Sequence, residues 1–114
     1  MTVNTTAGLP VDGKLLHNYF RTLVNHFFKI IPIRENEEES LVTYIKSLQL
    51  ELFGCVDLIP ELRTNSFYLS LLSILQYLSC NPECDLRVVR REVFRAISIC
   101  NKLKAIYSEG ADGR

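Results

Sequence analysis

Apolar residues recur every three or four positions along most of this chain, and prolines interrupt the pattern. This spacing matches one face of an α-helix, in which successive side chains are about 100° apart. No run alternates apolar and polar residues long enough to predict a strand. The pattern therefore predicts an all-α protein, with four helices near residues 14–31, 37–58, 65–80 and 86–107.

Capping residues and prolines predict where these helices begin and end. Asp12 is the expected N-cap of the first helix, and Pro32 is expected to force the end of that helix. Asn36, followed three residues later by Glu39, has the pattern of a capping box before the second helix. Pro60 is expected to close the second helix.

The connections between the helices predict how they are arranged. Asn81 or Asp85 would cap the fourth helix. Because the connections are only a few residues long, consecutive helices should lie side by side and antiparallel. We therefore expect a single-domain four-helix bundle of up-down-up-down topology over residues 12–107, with flexible tails at residues 1–11 and 108–114.

Composition limits the classes of function. The chain has 114 residues, enough for one domain, and equal numbers of acidic and basic side chains give a formal net charge of zero. A protein held mainly by phosphates would show an overall basic bias. The first residues have neither a basic start nor an apolar run, so we expect no signal peptide and a cytoplasmic location. Four cysteines are then expected to remain reduced, namely Cys55, Cys80, Cys84 and Cys100.

The sequence contains no pattern that predicts catalysis or metal binding. Cys80 and Cys84 have a spacing seen in zinc sites, but no second pair of ligands follows at a usable distance. His17 and His26 lie on different sides of the first helix, and neither has a glutamate three residues before it, as di-iron bundles require. The sequence also lacks phosphate-binding and nucleophile motifs. We therefore expect a non-enzymatic protein without metal or cofactor.

The third predicted helix lies within residues 64–82, a stretch without any charged side chain. A membrane span needs about 20 predominantly apolar residues, and the serines, threonine, asparagines and glutamine in this stretch argue against one. One face of this helix is predicted to belong to the core, and it consists of Phe67, Leu71, Ile74, Leu75 and Leu78.

The opposite face of the same helix carries three serines and a tyrosine, namely Ser66, Ser70, Ser73 and Tyr77. Solvent-facing helix sides usually carry Lys, Glu and Arg, whereas a lack of charge is typical of interface centres. We interpret these four residues as a self-association surface. The alternative is that the face is covered within its own chain or is a plain polar surface.

The fourth predicted helix carries a row of basic residues, Arg87, Arg91, Arg95 and Lys102, on one narrow stripe. Side chains one helical turn apart can hold successive phosphates along a strand. The alternative is a solvated face that is neutralised locally. In an up-down-up-down bundle this helix starts near the start of the second, which would bring Glu35, Glu37, Glu38 and Glu39 near Arg87, Arg90 and Arg91.

Glu92 lies within the apolar arc of the fourth helix. We expect it to sit at the rim of the buried strip, where a carboxylate stays wet. If it is buried instead, Arg21, Lys46 or a tyrosine hydroxyl would be its partner.

Two classes of function remain compatible with these patterns. In the first, the protein is a small soluble interaction or adaptor module that self-associates through its third helix and offers its outer helices to a protein partner. In the second, it is an accessory factor that binds nucleic acid along the arginine stripe. A membrane is not an expected partner.

Overall fold

The computed structural model describes residues 2–4, 10–36 and 40–111. The long helices in these ranges are α1 (Gly13–Phe28), α3 (Leu41–Leu58), α4 (Ser66–Cys80) and α5 (Leu86–Ala111). A short helix α2 (Ile30–Glu35) follows α1, and a 3-10 turn (Pro60–Thr64) separates α3 from α4. Ahead of α1, the strands β1 (Thr2–Asn4) and β2 (Pro10–Asp12) pair antiparallel, with Val3 opposite Val11. The prediction of an all-α helical bundle is confirmed.

Contacts between the long helices show their relative directions. The start of α1 meets the end of α5, where His17 Nδ1 lies 2.9 Å from the carbonyl oxygen of Lys104. The end of α1 meets the first half of α5, where the ring centroids of Phe28 and Phe94 are 5.9 Å apart. These two helices therefore run antiparallel.

The other helix pairs follow the same rule. Gln49 on α3 donates from Nε2 to Oε1 of Gln76 on α4 at 3.0 Å, which brings the middle of α3 beside the later part of α4. The ammonium of Lys102, late in α5, lies 5.5 Å from the ring centroid of Phe67 at the start of α4. Consecutive long helices thus alternate in direction around one shared core.

The first helix begins as predicted and ends differently. Asp12 Oδ1 accepts a hydrogen bond from the backbone N–H of Lys14 at 2.9 Å, so Asp12 is the N-cap. The prediction that Pro32 ends this helix is wrong, because α1 already ends at Phe28 and Pro32 lies in the first turn of α2. The first N–H groups of a helix have no intrahelical acceptor, so a proline there breaks no helical hydrogen bond.

The second predicted helix corresponds to α3, which begins at Leu41, later than expected. Asn36 does not cap it and instead follows the last residue of α2. Its expected capping-box partner, Glu39, lies outside the described residues. The predicted end is confirmed, because α3 stops at Leu58 and Pro60 begins the 3-10 turn.

Of the two expected caps for the fourth predicted helix, Asp85 has this role. Its Oδ1 accepts the backbone N–H of Arg87 at 2.9 Å. Hydrogen bonds from the Arg87 backbone and side chain hold the pKa of Asp85 below its ordinary value. Asn81 follows the end of α4, and its side-chain amide donates to the Tyr77 carbonyl at 2.9 Å.

The core of the bundle contains aromatic side chains from three elements. Phe20 on α1 stacks on Tyr107 of α5 at a centroid distance of 5.8 Å and meets the edge of Tyr68 on α4 at 6.2 Å. Tyr68 is fully buried, although the sequence pattern placed Phe67 in the core instead, and Phe67 is only half-buried. Burial of Tyr68 is possible because its hydroxyl donates to the Leu52 carbonyl at 2.6 Å.

The other four predicted core residues of this helix are confirmed as buried, namely Leu71, Ile74, Leu75 and Leu78.

The ends of the chain carry regular structure that the sequence pattern did not predict. The strands Thr2–Asn4 and Pro10–Asp12 fall mainly in the segment that was expected to be a tail. Each is three residues long, too short for an alternating pattern to be recognisable. At the other end, α5 continues to Ala111, past its predicted end at residue 107.

Among the described residues, none of the helices has the length and apolar character needed to cross a bilayer.

The four cysteines are all free thiols in different surroundings. Cys80 is exposed, Cys55 and Cys84 are half-buried, and Cys100 is buried. Burial in the core raises the pKa of Cys100 to about 12. The thiolate is the reactive form, so at neutral pH this thiol is both inaccessible and almost entirely protonated.

We therefore expect a chromogenic thiol reagent to label Cys80 first and Cys100 only on unfolding. With a pKa of about 12, the thiolate fraction of Cys100 at a pH of about 8 is on the order of one in ten thousand. The measurement is the reaction time course of native protein, with Cys80→Ser and Cys100→Ser as matched variants. Only the first should remove the fast phase. Equal native rates for the two thiols would contradict the assignment.

Candidate interaction surface on helices α3 and α4

The residues predicted for self-association lie on the outer side of α4. Ser66 and Ser73 are exposed, Ser70 is half-buried and Tyr77 is 40% exposed. The Ser70 hydroxyl already donates to the Ser66 carbonyl at 3.0 Å, so it is satisfied within its own helix. This face of α4 is therefore open in the isolated chain.

A groove of about 450 Å³ runs between α3 and α4, lined by Phe53, Leu72, Ser73, Gln76 and Tyr77. Two of the predicted residues, Ser73 and Tyr77, line this groove, whereas Ser66 and Ser70 do not. The groove thus lies on the side of α4 that faces α3, and it includes only part of the predicted self-association surface.

Sequence reasoning missed the large apolar side chains of this surface. Leu50 is 73% exposed, Phe53 is 51% exposed and Leu69 is 43% exposed. A signal was present in the sequence, because Leu50 and Phe53 fall outside the stripe of α3 that packs in the core. We define the α3–α4 surface by its exposed and groove-lining residues: Leu50, Phe53, Leu69, Leu72, Ser73, Gln76 and Tyr77. Contiguous exposed apolar area of this kind marks interaction sites in soluble proteins.

The floor of the groove is held by an uncharged hydrogen-bond network. Gln49 is 9% exposed and donates to Gln76, whose own Nε2 donates to Cys80 Sγ at 3.3 Å. Helix α4 contains no charged residue at all. The middle of the surface therefore presents apolar groups and neutral hydrogen-bonding groups to any partner.

The arginine stripe lies on a different side of the bundle, on α5. Arg87 is 88% exposed in its side chain and has a loose contact of 3.5 Å with Asp85. Arg91 and Arg95 both approach Glu92, at 4.0 and 2.9 Å. Lys102 lies over the Phe67 ring. The stripe is solvated, and its arginines already have carboxylates close by.

The expected neutralisation by the segment before the second predicted helix is found at one position. Glu35 Oε2 accepts a hydrogen bond from Arg90 Nη2 at 2.9 Å, joining α2 to α5. The glutamates at positions 37–39 lie outside the described residues.

The expectation that Glu92 sits wet at the rim is wrong. Its side chain is 9% exposed, and its two oxygens accept hydrogen bonds from Arg95 Nη1 at 2.9 and 3.1 Å. The partners anticipated for a buried Glu92 were on other elements, but the actual partners, Arg95 and Arg91, are on α5 itself. An arginine three residues further along a helix can fold back over a carboxylate and shield it.

The histidines are engaged in contacts between helices. Nδ1 of His26 on α1 lies 3.9 Å from Oε2 of Glu51 on α3, which also accepts a hydrogen bond from the Tyr19 hydroxyl at 3.2 Å. Burial raises the pKa of Tyr19 well above its ordinary value, with its contact to Cys55 adding to the effect. In the described part of the chain, no group of three or more potential metal ligands comes together.

Comparison of this chain with protein-family models, with curated proteins and with solved structures found no match.

Proposed function

We propose that this protein is a non-enzymatic helical interaction module that self-associates through the α3–α4 surface. The observation that carries the proposal is that Leu50, Phe53, Leu69 and Tyr77 are each at least two-fifths exposed, on and beside a helix, α4, that carries no charged residue. Burying apolar area contributes about 25 cal/mol per Å², so covering these side chains favours association.

A second copy is the occupant that the chemistry of the surface fits best. A partner of opposite charge would need charges to pair with, and α4 offers none. A surface of apolar and neutral polar groups is compatible with itself, which a two-fold interface requires. The small side chain of Ser73 on this surface, with Ser66 about two turns earlier on α4, would let two helices approach to the lower end of the usual range of about 8–10 Å.

An adaptor role follows if the same surface also accepts a different protein. Neutral interfaces with aromatic anchors, here Phe53 and Tyr77, are typical of protein recognition. The free thiols, including the exposed Cys80, suit a reducing compartment such as the cytoplasm.

The test is sedimentation velocity of wild-type protein and of Ser73→Arg over a wide concentration range. Wild type should sediment as a dimer, and Ser73→Arg should sediment as a monomer, because an unpaired charge would be buried at the centre of the interface. Ser73 is a cleaner position than Ser70, whose hydroxyl is used inside α4.

The matched control is Ser47→Arg. Ser47 is exposed on α3 and does not line the groove. This variant should keep the wild-type sedimentation coefficient. A wild-type monomer at the highest concentration, or equal dissociation by both variants, would overturn the proposal.

A further inference from the structure

The zero net charge of this chain conceals a strong separation of charge along the sequence. Ten of the 13 lysines and arginines lie in residues 13–34 and 86–104, together with one acidic residue, Glu92. The intervening residues 35–85 carry nine acidic and two basic side chains. Net charge was the argument against a polyanionic partner, and it does not apply to a molecule whose charges are segregated in this way.

The fold places the two basic segments side by side. Residues 13–34 form α1 and all of α2 except its last residue, Glu35, residues 86–104 belong to α5, and α1 lies antiparallel along α5. The single acidic side chain within these segments, Glu92, is buried at 7% exposure. Glu35 and Asp85, which border the segments, contact only Arg90 and Arg87 among their arginines. The surface formed by α1 and α5 is therefore basic, although the chain as a whole is neutral.

An exposed aromatic pair connects the end of α1 to the first half of α5 on this surface. Phe28 is 43% exposed and Phe94 is 52% exposed, and their rings meet edge to face at 5.9 Å with an interplanar angle of 80°. Arg21 and Arg87 each lie seven residues, about two helical turns, before one of these rings. Residues at that spacing share a helix face, so these arginines flank the aromatic pair.

We propose that this α1–α5 surface, defined by Arg21, Phe28, Arg87, Arg91 and Phe94, binds single-stranded nucleic acid. Its arginines would contact phosphates, and the open faces of Phe28 and Phe94 would stack on unpaired bases. A basic track with exposed aromatic rings is the combination that single-strand-binding proteins use. A duplex keeps its bases stacked on each other and offers no free base to the rings.

The ion pairs already present decide which arginines are available. Arg90 is held by Glu35 at 2.9 Å and serves mainly to join α2 to α5. Glu92 binds Arg95 more closely than Arg91, at 2.9 against 4.0 Å, and leaves the 67% exposed side chain of Arg91 largely available. Arg87 is the most open, because its contact with Asp85 is long.

These observations favour nucleic acid over the other anionic partners. The region from residue 86 to 95 contains four arginines and no lysine. Arginine binds phosphate in a bidentate manner and stacks on bases, whereas lysine does neither. An anionic membrane would call for a broad apolar face for insertion, whereas the exposed rings of Phe28 and Phe94 have arginines on either side of them. An acidic protein would pair with the arginines and leave the rings without a role.

The test is fluorescence anisotropy of labelled single-stranded DNA and RNA of about 20 nucleotides titrated with the full chain. Contacts of the three arginines with phosphates predict that the logarithm of affinity falls with that of salt concentration with a slope of about −2, or about 20-fold between 50 and 200 mM salt. Phe94→Ala and Phe28→Ala should each weaken binding about tenfold, with little change in that slope. Arg87→Gln with Arg91→Gln should weaken binding and reduce the slope.

Matched controls come from the opposite side of the bundle. Leu58→Ala removes an exposed apolar side chain, and Lys46→Gln removes an exposed positive charge, both from α3 and both outside the α3–α4 surface as defined above. Neither should change the affinity by more than about twofold. Circular dichroism checks that each variant retains its helical content.

Three results would overturn the proposal. The first is no anisotropy change at low salt. The second is binding that the Phe94→Ala and Arg87→Gln/Arg91→Gln variants leave unchanged. The third is tighter binding to polyglutamate or to phosphatidylserine vesicles than to single strands, which would assign the surface to an acidic protein or to a membrane. Ser73 lies on the other side of the bundle. The Ser73→Arg variant should therefore still bind single-stranded nucleic acid, which makes this test independent of the self-association test.

Discussion

Replacing Phe20 by alanine is expected to lower the free energy of unfolding by about 3–5 kcal/mol. Phe20 is fully buried and contacts two other buried rings, those of Tyr68 and Tyr107. The substitution removes the transfer free energy of the ring and leaves a cavity where α1, α4 and α5 meet. Domains of this size have a total stability of about 5–15 kcal/mol, so the variant would be marginally folded. Urea unfolding followed by circular dichroism measures the effect.

Phe94→Ala is the matched control for this effect. It removes a side chain of the same size that is 52% exposed and packs mainly against the ring of Phe28. The expected loss in the free energy of unfolding is about 1 kcal/mol or less. About half of this side chain stays in water on folding, and the substitution removes one edge-to-face contact. Similar losses for the two variants would mean that Phe20 is not at the centre of the core.

The number and approximate position of the long helices could be predicted because each buries a regular apolar stripe. The sequence periodicity places four residues of α4 in the core, and all four are buried in the bundle: Leu71, Ile74, Leu75 and Leu78. The two ends that local chemistry determines, the Asp12 cap and the stop before Pro60, were also predictable. Both involve neighbours in sequence.

The errors arise where local patterns have two physical solutions. Proline ends a helix or begins one, and Pro32 lies in the first turn of α2. A carboxylate in an apolar arc stays at the rim or is shielded by a long side chain, and Arg95 shields Glu92. Which solution holds depends on tertiary packing and on side-chain rotamers, which a helical wheel does not contain.

The candidate surfaces were predictable only in part, because they too depend on tertiary packing. The lack of charge on α4 indicated the face that contains Ser73 and Tyr77, but not the contribution of Leu50 and Phe53 from α3. The surface combines residues of two helices, and the sequence alone does not show which of their exposed side chains come together. The segregation of charge could have been counted from the sequence, but its meaning depends on α1 lying beside α5, since that contact turns two basic segments into one surface.

Helix α4 has two uncharged faces, and a single aspartate placed on either one should distinguish their roles. Leu75 is fully buried, whereas Ser73, two residues earlier, is exposed and lines the groove. Leu75→Asp would put a carboxylate among apolar side chains and remove their packing partner. We expect it to cost more than about 4 kcal/mol, which would leave a domain at the lower end of the usual stability range of about 5–15 kcal/mol marginally folded or unfolded.

In Ser73→Asp, the free energy of unfolding of the single chain should instead stay within about 0.5 kcal/mol of the wild-type value, because the new charge stays in water. If the α3–α4 surface joins two copies, this variant should nevertheless sediment as a monomer and should lose the concentration dependence of melting that a dimer shows. Circular dichroism melts at two protein concentrations measure both effects. Unfolding by Ser73→Asp would mean that its face is covered within its own chain. A loss below about 1 kcal/mol for Leu75→Asp would mean that the core face of α4 is loosely packed.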